Sequence, residues 1–304
     1  FFGPTRLREA LSLSLNLVSV RLLRAMGVDS AIDHLEKFGF DPQRLPRSLS
    51  LSLGSTTVTP LEIARGYAVF ANNGQRTHPY FIARIEDTEG NPVVIEPENP
   101  APCIDCAAEA VPENAEIDSN VGDDSQGNLY AIGPTEPVQS ISPQNAFLTR
   151  SLMQQVILSG TGRRALSLGR SDLAGKTGTT NNFRDAWFSG FNPDVTTTVF
   201  VGFDEPEHLG RRESGASAAL PIWISYMGAV LPDFPEQPAV IPDQIVTRFI
   251  NRESGELAHN EDPDGYMEYF VSGTEPTNAI QPLANTSGPE EENVSRESVS
   301  ETLF

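Results

Sequence analysis

The sequence predicts an α+β fold in which an antiparallel sheet is flanked by helices. Three observations carry that prediction. Helix-patterned segments fill most of the first 85 residues and return at "SPQNAFLTRSLMQQVILSG" from Ser142. Three extended stretches then follow one another between 172 and 203: "DLAGKTGTT", "DAWFSGF" and "TTTVFVGF". A strongly apolar segment, "AALPIWISYMGAVL" (Ala218–Leu231), closes the series and reads as a buried helix.

In residues 5–26, Leu11, Leu15, Val18, Leu22 and Met26 recur near helical spacing, as one bent helix or two short ones ended by Gly27. "DSAIDHLEKFGF" gives another short helix, with Asp29 or Ser30 as its cap. "TVTPLEIARGYAVFANNG" is more fully signposted. Thr59 is placed to cap, Pro60 falls at the first helical position and Glu62 at the third, a capping box. Asn73-Gly74 ends it. "YFIARIEDTEGNPVVI" reads as a hairpin turning at "TEGN".

From Glu96 to Ser140 the chain becomes rich in Pro, Glu, Asp and Asn and loses periodicity, an irregular insertion. Ser142 and Pro143 then cap and start a long helix that Gly160, Thr161 and Gly162 terminate. Residues 244–271 suit short strands, and 285–304 have the composition of a disordered tail. The expected organisation is a first domain segment at 1–85, an acidic insertion at 86–140, a second segment at 141–235, an extension at 236–284 and the tail at 285–304.

The net charge is −20, but it is unevenly placed. Residues 86–140 hold 13 acids and no Lys or Arg, and residues 253–304 hold 12 acids and one Arg. The rest of the chain is mildly basic, which suits an anionic ligand and gives no reason to expect nucleic acid. No apolar run reaches the roughly 18–20 residues that span a bilayer. The opening "FFGPTRLREAL" has neither Met nor a charged leader and reads as the start of a fragment. Cys103 and Cys106, in "PCIDC", suit a local disulfide or two plain thiols better than zinc, because the four His show no ligand spacing. No metal or cofactor motif is present.

Chemistry concentrates in "DLAGKTGTTNNFRDAWFSGF". Gly175-Lys176-Thr177 ends like a phosphate-binding loop, but the Gly that such a loop needs would fall on Arg170, and Thr and Asn follow where a helix should start. Lys176-Thr177-Gly178 on a strand is the better reading. Alternation puts Lys176 and Gly178 on one face, and Thr177 and Thr179 on the other. A Lys followed by hydroxyls can hold a carboxylate by charge and hydrogen bonds, and a strand Gly permits close approach of a ligand. Lys-Thr-Gly belongs with Ser-x-x-Lys and a Ser-Asp-Asn element in serine acyltransferases that react with penicillin. Ser14-Leu15-Asn16 is the one Ser-x-Asn in the chain. Ser-x-x-Lys is missing: the two lysines, Lys37 and Lys176, follow His34 and Leu173 at that spacing. Trp187 and Phe188 read as core, and Arg163 and Arg164 as solvated.

These elements, with "FFGPTRLREALSLSLNLVSVRLL", "GSTTVTPLEIARGYAVFANNG", "SPQNAFLTRSLMQQVILSGTGRRALSLGR" and "VGFDEPEHLGRRESGASAALPIWISYM", resemble the C-terminal part of bifunctional class A penicillin-binding proteins of the 1A type. The resemblance covers most of 1–85 and 141–228. It implies a serine β-lactamase/transpeptidase-like fold, preceded in the family by a membrane anchor and a glycosyltransferase domain on the periplasmic face of the inner membrane. It implies peptidoglycan stem peptides and β-lactams as ligands, and other cell-wall synthesis proteins as partners. By position, Ser14 relays a proton, Asn16 holds a peptide carbonyl, Lys176 supplies positive charge, and Thr177, Gly178 and Thr179 line the substrate strand. The Thr179 N–H would form half of an oxyanion hole. The nucleophile is then expected upstream of Phe1, leaving this chain inactive alone.

Overall fold

The computed structural model describes residues 5–80, 82–83, 85–91 and 136–278. Cys103, Cys106, most of the acidic insertion and the tail from 285 lie outside them. The chain divides into two compact units, one reaching Ile245 and the other beginning at Val246.

The first unit opens with α1 (Leu7–Ser12) and α2 (Asn16–Met26), so residues 5–26 make two short helices rather than one. Helix α3 runs Val28–Glu36 and is entered directly from Gly27. The expected cap at Asp29 or Ser30 is therefore wrong. Gly27 serves as the end of α2 and the entry to α3, so no residue is left between them for a polar cap, and Asp29 instead supplies negative charge in the first turn. Helix α4 (Pro60–Ala71) starts as its sequence dictates: Thr59 Oγ1 accepts from Glu62 N at 3.2 Å, and Glu62 Oε2 accepts from Thr59 N at 2.6 Å. After α4, β1 (Gln75–Arg76) pairs with β2 (Val138–Gln139). The turn at Asp87–Asn91 closes with Asp87 N donating to Asn91 O at 2.9 Å, while the returning arm of that hairpin lies outside the described residues.

Helix α5 (Pro143–Leu158) begins with Ser142 Oγ accepting from Asn145 N. The sheet follows: β3 (Ala174–Thr179), β4 (Ala186–Phe191) and β5 (Thr196–Val201), antiparallel in sequence order, with Lys176 opposite Ser189 and Thr177 opposite Phe188. Among the described strands β3 is therefore an edge. Helix α6 (Leu220–Val230) packs on the sheet through Leu220, Trp223 and Met227, all fully buried. The Phe188 and Trp223 rings meet at 5.0 Å, and Ile157 of α5 joins them. Burying each such side chain contributes about 1.5–3 kcal/mol. Phe188 is core as expected, but Trp187 is only half-buried, its ring tilted against Phe200 at 4.6 Å, because the alternation of the strand turns it to the other face.

The helical run around α6 is longer than the sequence suggests. It extends without a break over Gly215–Asp233, 19 residues apolar enough by length and composition to cross a membrane. Its Leu220, Trp223, Met227 and Leu231 nevertheless fill the core, while Ile222 and Tyr226 are exposed. That two-sidedness is the pattern of a helix packed on a sheet.

In the second unit, β6 (Ile245–Asn251, whose first residue ends the first unit) and β7 (Gly265–Val271) form a separate two-stranded sheet. Arg248 pairs with Glu275 at 2.8 Å there.

Candidate active site

The site is assembled where the α1–α2 junction, the end of α5 and the start of the α6 run converge on β3. At the junction, Leu15 N donates to Ala10 O and Ser14 N to Leu11 O, which closes α1 as a Schellman turn. The position that such a turn places in the left-handed region is Ser14, with φ 56°. Glycine is the usual occupant, and a side chain here costs about 1–2 kcal/mol. The side chain has a use: Ser14 Oγ accepts from Lys176 Nζ at 2.8 Å. Two residues separated by 162 positions are thus joined directly.

Lys176 Nζ also donates to Thr177 O at 2.8 Å and lies 3.5 Å from Thr177 Oγ1. Although Lys176 and Thr177 leave the strand on opposite faces, the lysine arm bends over the edge and sets its ammonium beside the threonine. No carboxylate pairs with it among the described residues. Burial without such a partner pushes the ammonium down to about 8 from 10.5. A partly desolvated cation with no counter-ion, beside hydroxyls and an exposed serine, suits an incoming anion.

The two threonines are each held from outside the strand. Thr177 Oγ1 shares a hydrogen with Thr161 Oγ1 at 2.7 Å. Thr179 Oγ1 accepts from Gly215 N at 3.0 Å. Because an amide can only donate, the Thr179 hydroxyl proton stays available. Gly215 must be glycine, since a Cβ there would run into the Trp187 and Gly178 carbonyls.

Backbone direction completes the arrangement. Thr180 N donates to Asp185 O, back toward the β4 side. Along an extended strand successive N–H groups alternate sides, so those of Thr179 and Thr177 face the open edge. Gly178 lies between them, its Cα close to Trp187. Asn16 is exposed at the first position of α2, and its side chain makes no hydrogen bond among the described residues. Of the expected residues, Ser14, Lys176 and Thr177 are in direct contact, Thr179 is anchored nearby on the same strand, and Asn16 is two residues from Ser14 along the chain. Thr161 and Gly215 were not singled out for the site by the sequence. The resemblance puts Gly160, Thr161 and Gly162 where the family has a loop near the cleft, but a helix-ending turn is the simpler reading of them, and nothing marks Gly215 locally.

Comparison with known proteins shows the family. Residues 2–223 match the model of the penicillin binding protein transpeptidase domain. The chain belongs to that family. Residues 241–279 match the C-terminal domain of penicillin-binding protein 1A. The chain is 45% identical to penicillin-binding protein 1A of Pseudomonas aeruginosa over 91% of its own length and 35% of that protein's. With penicillin-binding protein 1A of Escherichia coli it shares 39% identity over 91% of itself and 38% of the relative. It thus spans about a third of the curated relatives it matches. The crystal structure of penicillin-binding protein 1A from Haemophilus influenzae superposes with a TM-score of 0.74 at 37% identity, covering 92% of this chain and 42% of that one. The PonA1 protein from Mycobacterium tuberculosis, solved in complex with penicillin V, shares the transpeptidase fold at 22% identity and a TM-score of 0.56, over 78% of this chain and 62% of that one. The antiparallel sheet between helices is therefore the transpeptidase fold of this family.

Proposed function

We propose that the chain supplies the Ser-x-Asn and Lys-Thr-Gly portion of a peptidoglycan D,D-transpeptidase, which cross-links D-Ala-D-Ala stem peptides through a serine acyl-enzyme and is acylated by β-lactams. The observation that carries this reading is the 2.8 Å contact between Lys176 Nζ and Ser14 Oγ at the open edge of β3. Family membership supports it. By the same reasoning the longer protein also carries a glycosyltransferase domain, faces the periplasm from an anchor in the inner membrane, and works with other cell-wall synthesis proteins.

The stem peptide adds along the edge of β3 through main-chain hydrogen bonds. Its terminal carboxylate sits between the Lys176 ammonium and the Thr177 and Thr179 hydroxyls. The Thr179 N–H and the N–H of the attacking serine hold the oxyanion as the scissile carbonyl becomes tetrahedral. The serine and the lysine of Ser-x-x-Lys are supplied by residues preceding this chain. The serine's proton passes to that lysine, then through the Ser14 hydroxyl to the amine of the departing D-Ala. Lys176 holds the Ser14 oxygen as acceptor, so the Ser14 proton points away from Lys176 and toward the leaving group. Asn16 holds an amide carbonyl of the donor peptide. An acceptor amine then takes the acyl group and completes the cross-link; water in its place gives carboxypeptidase activity.

The test is the second-order rate of acylation by a fluorescent penicillin, measured on the chain extended upstream to include Ser-x-x-Lys. Ser14→Ala and Lys176→Ala should each lower it about 100-fold, the scale of a lost proton-transfer group or anion anchor. Rates within threefold of the parent would remove both residues from the chemistry. Penicillin bound without a covalent bond would favour a binding module, the reading that the missing Ser-x-x-Lys allows.

A further inference from the structure

We infer that Thr161 is a positioning residue of this site, one that locks the Ser14 turn onto the Lys176–Thr179 strand and turns the Thr177 hydroxyl toward the ligand carboxylate; the inference rests on the transpeptidase reading above.

The turn after α5 joins the two halves of the site. Ser159 N donates to Gln155 O, while Gly160 N and Gly162 N both donate to Val156 O, so these three amides are closed on α5 itself. Thr161 N breaks the pattern. It donates to Ser12 O at 3.1 Å, the last carbonyl of α1 and two residues before Ser14. The Schellman turn satisfies the Ala10 and Leu11 carbonyls from within, and Thr161 satisfies the next one from outside. Gly160 lets this happen. Its φ is ordinary, yet a Cβ there would run into the Ser12 carbonyl oxygen and the Val156 carbonyl oxygen. Glycine is needed because the turn lies against α1, not because the backbone is strained.

The side chain of the same residue points to the other half of the site, with Thr161 Oγ1 and Thr177 Oγ1 at 2.7 Å. One residue therefore touches the Ser14-bearing turn with its backbone and the lysine strand with its hydroxyl. Those are the two pieces whose separation sets the Lys176–Ser14 hydrogen bond.

Either hydroxyl of the Thr161–Thr177 pair can donate, and the inference assigns the shared proton to Thr161. Thr179 Oγ1 is an acceptor from Gly215 N, which leaves its proton to donate outward. Lys176 Nζ, beside Thr177 Oγ1 at 3.5 Å, can only donate. If Thr161 also donates, Thr177 Oγ1 is an acceptor on the protein side and keeps its proton for the ligand. Both strand threonines then present O–H donors to one carboxylate. If Thr161 accepted instead, the Thr177 proton would be spent inside the protein and one donor lost.

The experiment uses the full-length protein that carries this chain and reads its acylation by a fluorescent penicillin together with its melting temperature. Thr161→Val keeps the size and the backbone bond to Ser12 and removes the hydroxyl. It should slow acylation about tenfold, the worth of one hydrogen bond, with the melting temperature within about 2 °C of the parent. Thr161→Ser keeps the hydroxyl and should acylate within about twofold of the parent. Thr177→Val combined with Thr161→Val should be no slower than Thr177→Val alone, because both act through one bond. Should Thr161→Val lower the melting temperature by more than about 5 °C, Thr161→Ala is read in its place against the same thresholds. A hydroxyl-free variant acylating as fast as the parent, a Ser variant as slow as the Val one, or additive losses in the double variant would each overturn the inference while leaving the transpeptidase reading intact. An unmodified parent that takes no label would instead overturn that reading, and the role of Thr161 with it.

Discussion

Ser14 combines a structural cost with a chemical use in one residue. Its left-handed backbone at φ 56° would suit glycine, and its hydroxyl meets Lys176. Ser14→Gly should therefore raise stability by about 0.5–1 kcal/mol in thermal unfolding, while acylation of the upstream-extended protein collapses. A loss of stability would show that the turn is not strained. Lys176 gives a second prediction. Burial lowers its ammonium to about 8, so in the free protein the charge is present below that value and is lost as pH rises through it. The rate of acylation by a carboxylate-bearing penicillin should fall over that range, and Lys176→Arg should retain its residual rate across it, since guanidinium stays charged. Little of this was legible residue by residue. Lys-Thr-Gly and Ser-x-Asn can be seen in the sequence, but a contact across 162 positions cannot, and it was the resemblance that placed Ser14 and Lys176 in one site.

Elements were more legible where their signals are local. The Thr59–Glu62 capping box and the Ser142–Pro143 start sit within one turn of chain, so the sequence states them outright. Thr59→Ala should cost about 1 kcal/mol without affecting acylation. The start of α3 was misplaced because a single glycine serves two helices, which no pattern of caps reveals. Longer-range fits were hidden altogether. The α6 run reaches the site through Gly215, whose amide holds Thr179 and whose Cα lies against the Trp187 and Gly178 carbonyls. Gly215→Ala should push that run off the strand, costing about 1–3 kcal/mol and slowing acylation more than Thr59→Ala does. Equal effects on acylation from the two variants would argue against this coupling.

At the scale of the whole first unit, one buried carboxylate fastens the segment after α6 to the entrance of the lysine strand. Asp172, two residues before β3, binds Arg170 at 2.6 Å and accepts from Gln237 N, while Arg170 Nη1 donates to Phe234 O at 2.7 Å. Burial would raise the Asp172 carboxyl, but its hydrogen bonds to Arg170, Gln237 and Asn192 and the Arg170 charge hold it below the usual range. Such a group stabilises the fold above its unfolded value, about 4, and that stability is lost as pH falls through the lower folded value. Asp172→Ala, which also leaves the buried Arg150 without its compensating charge, should cost about 3–5 kcal/mol. The composition of the chain pointed to none of this, since its 41 acids and net charge of −20 are dominated by the two peripheral stretches. The central claim is that this chain holds the Ser14–Lys176 portion of a transpeptidase site whose nucleophile comes from residues preceding it. The most direct measurement is fluorescent-penicillin labelling on a denaturing gel, comparing the 304-residue chain with one extended upstream through Ser-x-x-Lys. No label is expected on the first and a labelled band on the second. A covalent label on the 304-residue chain would contradict the central claim, because some serine within these residues would then be the nucleophile.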